Sequence, residues 1–420
     1  MCRIRPCLMA GLALLVSGSA LAGAPASPTP PAAEGLPVEC LRVGEGSVTG
    51  RLASIHGGTV TLLRDGMAEA FPLDAFREIV SLQAGSAPSR LPPPWTVWAD
   101  GGAVWTTRQV SGGNAPETVS MVGYGWEGAD VPLAWVRALA SREVLRAAAA
   151  DREEFEKLRE SPPPASDLVM VAGSEGARVL SCIVEGATDA GLSIALGGAQ
   201  STLPWGEVRW AVLSPGAGPK EEAAGHMLEL ADGTRIRARS LDLEGATLTA
   251  QDGPARYVVN AAGPNPLVRL RVHSDSYRYL GDLEPEKVAL RPLLDVVWPP
   301  LMDRAVSGGP ITLSGKSYPK GIGMHARTEM TFRLGAAYSR FYALVGVDDS
   351  GKAAAGQAAF RALADGRLLY DGGALTAGDA PRPLCLNVTG VQRLTLVADF
   401  ASPVAAAGCF ADWAEARVVR

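Results

Sequence analysis

Six side chains in the last third of the chain have the types a ligand could use: Trp298, His325, Arg327, Asp348, Asp349 and Trp413. Their chemistry is recognition, not bond making. An enzyme needs a positioned nucleophile or an acid and base pair, and with only four histidines in 420 residues, no GxSxG turn and no HExxH helix, the chain offers neither. Its carboxylates fall mostly in turns and on polar strand faces, so the reading is non-enzymatic. An indole ring can stack on the C–H face of a neutral, hydroxyl-rich ligand and contribute about 0.5–1.5 kcal/mol, while carboxylate or guanidinium groups fix the hydroxyls. Such a site binds in the micromolar to millimolar range. Trp298 lies in the loop VVWPPLMD, where core packing explains a large ring less well than stacking does. Trp413 lies in a strand-like run and is better explained by packing. His325 is a ligand contact or an interior ring bonded to backbone, and Arg327 is a hydroxyl donor. Asp348 and Asp349 have three readings: ligands of a structural calcium, partners of a hydroxyl, or caps of a turn.

The charge balance agrees with a neutral ligand. Lys and Arg number 39 against 44 Asp and Glu, for a net charge of −5 without any basic block. That argues against nucleic acid and anionic lipid as the main partner, whereas a sugar fits. At the start, Arg3 and Arg5 precede an apolar run from Leu8 to Val16 and the small residues Ala20-Leu21-Ala22, the order of a secretory signal over 1–22. The run is too short for a membrane span, and no later stretch approaches the roughly 20 apolar residues one needs. The expected location is therefore exported, periplasmic or secreted. Residues 23–37 are rich in Pro and Ala and read as a tether. Of the six cysteines, Cys40, Cys182, Cys385 and Cys409 follow the signal, too widely spaced for a zinc site. Cys385 and Cys409 share a predicted domain and either pair or remain thiols.

The elements that must carry these side chains are strands. With 48 Gly and 31 Pro, the chain expects many short strands and turns. A pattern of Pro, three residues, an apolar residue and Arg occurs at Pro72-Phe76-Arg77, Pro132-Val136-Arg137, Pro204-Val208-Arg209 and Pro264-Val268-Arg269. Each is preceded by an acidic-Gly turn pair: Glu45-Gly46, Asp100-Gly101, Glu175-Gly176 and Asp232-Gly233. Four β-meander repeats follow, at 38–84, 91–140, 167–215 and 226–273. Each is too small to stand alone, so it closes into an SH3- or Sm-like barrel or pairs with its neighbour. The repeated Arg, facing opposite to its apolar neighbour, is expected to see solvent. Between the second and third repeats, 141–166 reads as a helix and a Pro-rich linker, with Val144, Leu145, Phe155 and Leu158 suiting a spacer or docking helix.

From about Tyr277 aromatics concentrate, and strands are plain at 340–347, 358–364, 383–388 and 394–400, with Asp365-Gly366 as a tight hairpin. The fold class is all-β: tandem meander repeats followed by a sandwich over 277–420. The motifs YLGDLEP (279–285), SGGPITLSGKSYPKGIGMHA (307–326), VGVDDS (345–350), AFRALADGRLLYDGG (359–373) and ADWAEARV (411–418) resemble the NPCBM family of carbohydrate-binding modules. The resemblance covers roughly 140 residues. It implies a galactose-binding-domain-like jelly roll that binds a glycan, either a polysaccharide or a glycoconjugate, at one edge. His325 lies in a motif central to that family. Relatives carry an acidic, Gly-rich loop with Asp-His before Ala-Asp-Trp, whereas here Cys409 and Phe410 stand in those places. Loss of side-chain oxygens there favours the alternative of an envelope scaffold that contacts proteins. A second alternative is an accessory subunit of a glycosidase.

Overall fold

The computed structural model describes residues 35–83, 94–115, 117–146, 149–173, 176–215, 225–291, 297–401 and 408–420. The signal segment and most of the tether lie outside them.

Strands dominate because the sequence alternates apolar and polar residues in short runs, giving strands of two to twelve residues separated by turns, many of them at glycine. In each repeat the first strand turns back through a glycine with positive φ: Gly46, Gly101, Gly176 or Gly233. The first repeat has strands Leu36–Arg42, Ser47–His56, Thr59–Arg64, Met67–Pro72 and Phe76–Ser81, each of the first three pairing with the next, and the last returning to the first. The other three share this topology, with the second strand broken in two in the second and fourth repeats. No repeat closes into a barrel. Instead they join into one 22-stranded sheet.

The repeats are hydrogen-bonded in the order first, fourth, second, third. The closing strand Phe76–Ser81 pairs antiparallel with Leu267–Arg271 of the fourth repeat. The fourth strands Trp126–Pro132 and Ala255–Asn260 join the second repeat to the fourth. Closing strands Val136–Ser141 and Val208–Val212 join the second to the third. One apolar core, including Leu52, Trp105, Trp126, Tyr257 and Ile194, runs through all four.

The repeated arginine has a structural reason. In every closing strand one residue is skipped by the pairing register, a β-bulge that lets the strand bend around its repeat. Arg77, Arg137 and Arg209 occupy that bulge, but in the fourth repeat Leu267 takes the apolar slot and Val268 the bulge, so Arg269 is displaced by one residue. The expectation that these arginines simply face solvent fails: Arg77 pairs with Glu415, Arg137 with Asp100, Arg209 with Glu143 and Arg269 with Glu78. Arg77, Arg137 and Arg209 reach their carboxylates from the bulge, whereas Arg269 reaches Glu78 from a regular register position.

The two closing-strand seams are covered differently. Over the second and third repeats, the outward residues Ala138, Ala140, Trp210 and Val212 are apolar and are capped by the helix Ala149–Glu160. Phe155 is fully buried there, 5.4 Å from the Trp98 ring and 6.0 Å from that of Trp210, so the helix docks. At the equivalent positions of the first and fourth repeats stand Glu78, Val80, Arg269 and Arg271, and Tyr279 and Glu415 of the C-terminal sandwich lie near Arg271, with Tyr279 also near Glu78. Buried Glu78 accepts from Arg269 at 3.1 Å and Arg271 at 3.4 Å. Tyr279 donates to Glu415 at 3.3 Å, and Arg417 donates to the carbonyls of Val43 and Gly44 at 3.1 and 3.0 Å.

The sandwich packs two antiparallel sheets. One runs Leu301–Met302, Gly321–His325, Phe410–Val419, Arg340–Val347, Arg382–Asn387, and the other Lys287–Leu290, Thr328–Arg333, Arg393–Phe400, Gln357–Ala364, Arg367–Thr376. Asp365 and Gly366, both at positive φ, make the tight hairpin between the last two. No disulfide joins Cys385 to Cys409. Cys385 is exposed opposite Tyr342, whose partner Arg417 is eight residues along the last strand from Cys409, about 25 Å away at strand rise. Among the described residues no helix is long and apolar enough to cross a membrane.

Candidate ligand-binding site

At one end of the sandwich the chain passes from sheet to sheet. His325 ends a strand of the first sheet and Thr328 begins one of the second, so Ala326 and Arg327 form the corner, with Arg327 at φ 64°. Its carbonyl accepts from the Arg291 amide at 3.0 Å. Phe410, which starts the last strand, is the register partner of His325, and Phe400 ends the strand on the opposite sheet. Trp298 lies beside them outside any strand or helix, followed by two prolines.

These residues form one cluster. The Trp298 ring stacks on His325 at 5.7 Å between centroids and 13° between planes, and lies 5.6 Å from Phe410. His325 also meets Phe400 and Phe410, and the Arg327 guanidinium sits 5.5 Å over Phe400. Trp298 nevertheless keeps 38% of its surface exposed, and Val297 55%. Leu290, Arg291, Val297, Trp298, His325 and Arg327 line a shallow groove. Burial lowers the His325 pKa, against a weaker opposite pull from its 3.3 Å contact with the Ala326 carbonyl. The ring is therefore neutral at neutral pH. An exposed indole backed by a neutral imidazole, with two guanidinium groups at the rim, can stack on an apolar ring face and donate to hydroxyl oxygens.

The remaining sequence candidates do not join this cluster. Trp413 is fully buried between Phe341 and Phe360, because its strand lies in the middle of its sheet, so it is core and not edge. Asp348 is buried and caps the turn Asp349–Ala354, accepting from Ser350 N at 2.9 Å and Thr312 N at 2.8 Å. Asp349 accepts from Gly315 N at 2.7 Å and Ser314 N at 3.1 Å, and pairs with Lys352. Both carboxylates thus pin the hairpin Ile311–Tyr318 to the sheet, the turn-capping alternative of the three. Beside them Asp412, fully buried between Gly323 and Gly346 in register, has no donor to either oxygen among the described residues. Burial and the neighbouring Asp348 raise its pKa well above the usual carboxylate range. Among the described residues no group of three His, Cys, Asp or Glu side chains could hold a metal ion.

Sequence reasoning missed Phe400 and Arg291. Phe400 is the terminal residue of a well-marked strand, and a ring at a strand end is a signal of edge placement. Phe410 was visible only as a departure from a family pattern, yet it fills the space against which Trp298 rests.

Residues 277–419 match the family model of the NPCBM/NEW2 domain. A protein of Renibacterium salmoninarum, provisionally named as an endo-alpha-N-acetylgalactosaminidase, is 34% identical over 110 residues, which are 26% of this chain and 7% of that protein. The chain thus spans only a small part of that relative's length. Among solved structures, the CBM51 module of the Clostridium perfringens GH95 protein, in complex with methyl-galactose, is 24% identical and has a TM-score of 0.31, covering 34% of this chain and 99% of that one. The tandem CBM51 modules of the family 98 glycoside hydrolase of Streptococcus pneumoniae are 13% identical with a TM-score of 0.30, covering 77% and 87%.

Proposed function

With residues 277–419 an NPCBM/NEW2 domain, we propose that this chain is an exported, non-catalytic glycan binder whose site is the Trp298 groove. The observation that carries the reading is the exposed Trp298 ring, stacked on neutral His325 beside Arg327 and Arg291. Stacking supplies affinity and the guanidinium donors supply orientation, so a neutral sugar ring binds weakly, at micromolar to millimolar concentration. Phe410 makes the platform more apolar than a loop of acidic residues would. The leader-like start supports delivery to the periplasm or beyond, and the four-repeat array acts as the stand on which the module is held.

The test is a glycan-array screen of the whole chain, compared with Trp298→Ala and Trp413→Phe variants. Binding lost with Trp298→Ala and kept with Trp413→Phe supports the site. Absence of binding by the folded wild type, or binding that survives Trp298→Ala, overturns it. A second reading, an envelope scaffold contacting proteins, is favoured by one observation: Asp348 and Asp349 are spent on the hairpin, and among the described residues that line the groove none is a carboxylate. The modular relative supports a third role beside a glycosidase, in which the bound glycan is that enzyme's substrate.

A further inference from the structure

Among the described residues, the order of the repeats leaves two strands paired on one side only. Fourth strands of the second and fourth repeats pair with each other, with Gly128 opposite Tyr257. Alignment of the four repeats through the partners of their third strands makes Gly128, Tyr257, Glu69 and Ser201 equivalent positions. The internal interface is therefore a pseudo-two-fold, with a position facing its own equivalent. Among the described residues, the equivalent strands of the two outer repeats, Met67–Pro72 and Ala199–Pro204, pair only with their own third strands.

These two edges differ. In the first repeat Glu69 sits at the centre of the strand and pairs with Arg64, so a second copy docking about that point would set two carboxylates face to face. The third repeat's edge, AQSTLP, carries no charge at all and is exposed along nearly its whole length. Its neighbour Leu196 is 43% exposed. Small Ser201 at the centre lets two backbones approach, as Gly128 does opposite Tyr257. An uncharged, exposed edge strand is the kind that natural proteins otherwise block.

We propose that two copies of this chain form a symmetric dimer by antiparallel pairing of their Ala199–Pro204 strands about Ser201, repeating the interface that joins the second and fourth repeats. The pairing is isologous and closes, so it yields a dimer and not a fibre. It places two sandwiches on one particle, and two weak sugar sites on one surface gain avidity.

Sedimentation of the whole chain at micromolar concentration tests this. The wild type is expected at twice the chain mass, Ser201→Lys at the chain mass, and Glu69→Lys unchanged from wild type. A Ser201→Cys variant, oxidised, is expected to run as a covalent pair on a non-reducing gel, while Glu69→Cys does not. A monomeric wild type, a dimer that survives Ser201→Lys, or cross-linking that is equal at both cysteines overturns the proposal. The cysteine arm keeps the test decisive if the lysine variant misfolds, and neither arm depends on sugar binding.

Discussion

Arg77 and Glu415 each sit at a β-bulge, and the two bulges meet across the boundary between the first repeat and the sandwich. Glu415, at φ 55°, is turned out of the last strand toward Arg77 and the Tyr279 hydroxyl. With 14% and 8% of their side chains exposed, the pair is largely desolvated. Removing one partner leaves a buried charge uncompensated, so Arg77→Met and Glu415→Met are each expected to cost about 3 kcal/mol. The double variant is expected to cost less than the sum by about 1–3 kcal/mol. Urea unfolding of the four species gives the cycle, and additive losses would refute the coupling.

Asp412 sets a pH dependence. Its folded pKa is raised, first by burial and then by Asp348, above an unfolded value of about 3.9. A raised carboxyl pKa contributes stability that is fully present below the unfolded pKa and is lost as pH rises toward the folded one. Asp412→Asn, whose amide can donate to Asp348 at any pH, is expected to raise the urea midpoint at pH 8 and to leave it nearly unchanged at pH 4. A lower midpoint at pH 8 would show that Asp412 works as an anion.

The two tryptophans of the sandwich should separate stability from binding. Trp413→Ala empties a core position and is expected to cost about 3–5 kcal/mol. Trp298→Ala, at a rim that is already open, should cost under about 1 kcal/mol while abolishing glycan binding. Denaturant curves and an affinity measurement on each variant check both halves.

Phe155 holds the helix to the seam. Phe155→Ala is expected to cost about 3 kcal/mol and to expose Trp98 and Trp210, seen as a red shift and quenching of tryptophan fluorescence. An unchanged spectrum would mean that the helix is held by other contacts.

Alternation and turn chemistry made the local structure legible. Glycines of the acidic-Gly pairs, the Asp365-Gly366 hairpin and the strands of the sandwich follow from period-two patterns and positive φ. Neighbourhood was not legible. A strand's pattern says which residues turn inward but not which strand lies beside it, so the pairing of the first repeat with the fourth has no sequence signature. For the same reason the partners of Arg77 and Arg269 were hidden. The fourth repeat's match slipped by one residue because Leu267, three residues after Pro264 where the other repeats have four, fills the apolar slot. At the site, Trp298, His325 and Arg327 stood out by type, whereas Phe400 looked like any strand residue. Trp413 shared Trp298's type but not its surroundings, and composition does not distinguish a ring at the centre of a sheet from one at its rim.

The crossing of the first repeat to the fourth has a consequence for how the protein comes into being. Arg269 reaches Glu78 over 191 residues of chain, with two whole repeats between them. An emerging polypeptide therefore displays a bare closing strand on its first repeat until most of its length has been delivered. Contacts so distant in sequence slow folding and prolong exposure of sticky edges. A chain cut short after its third repeat would be born with that strand permanently unmatched.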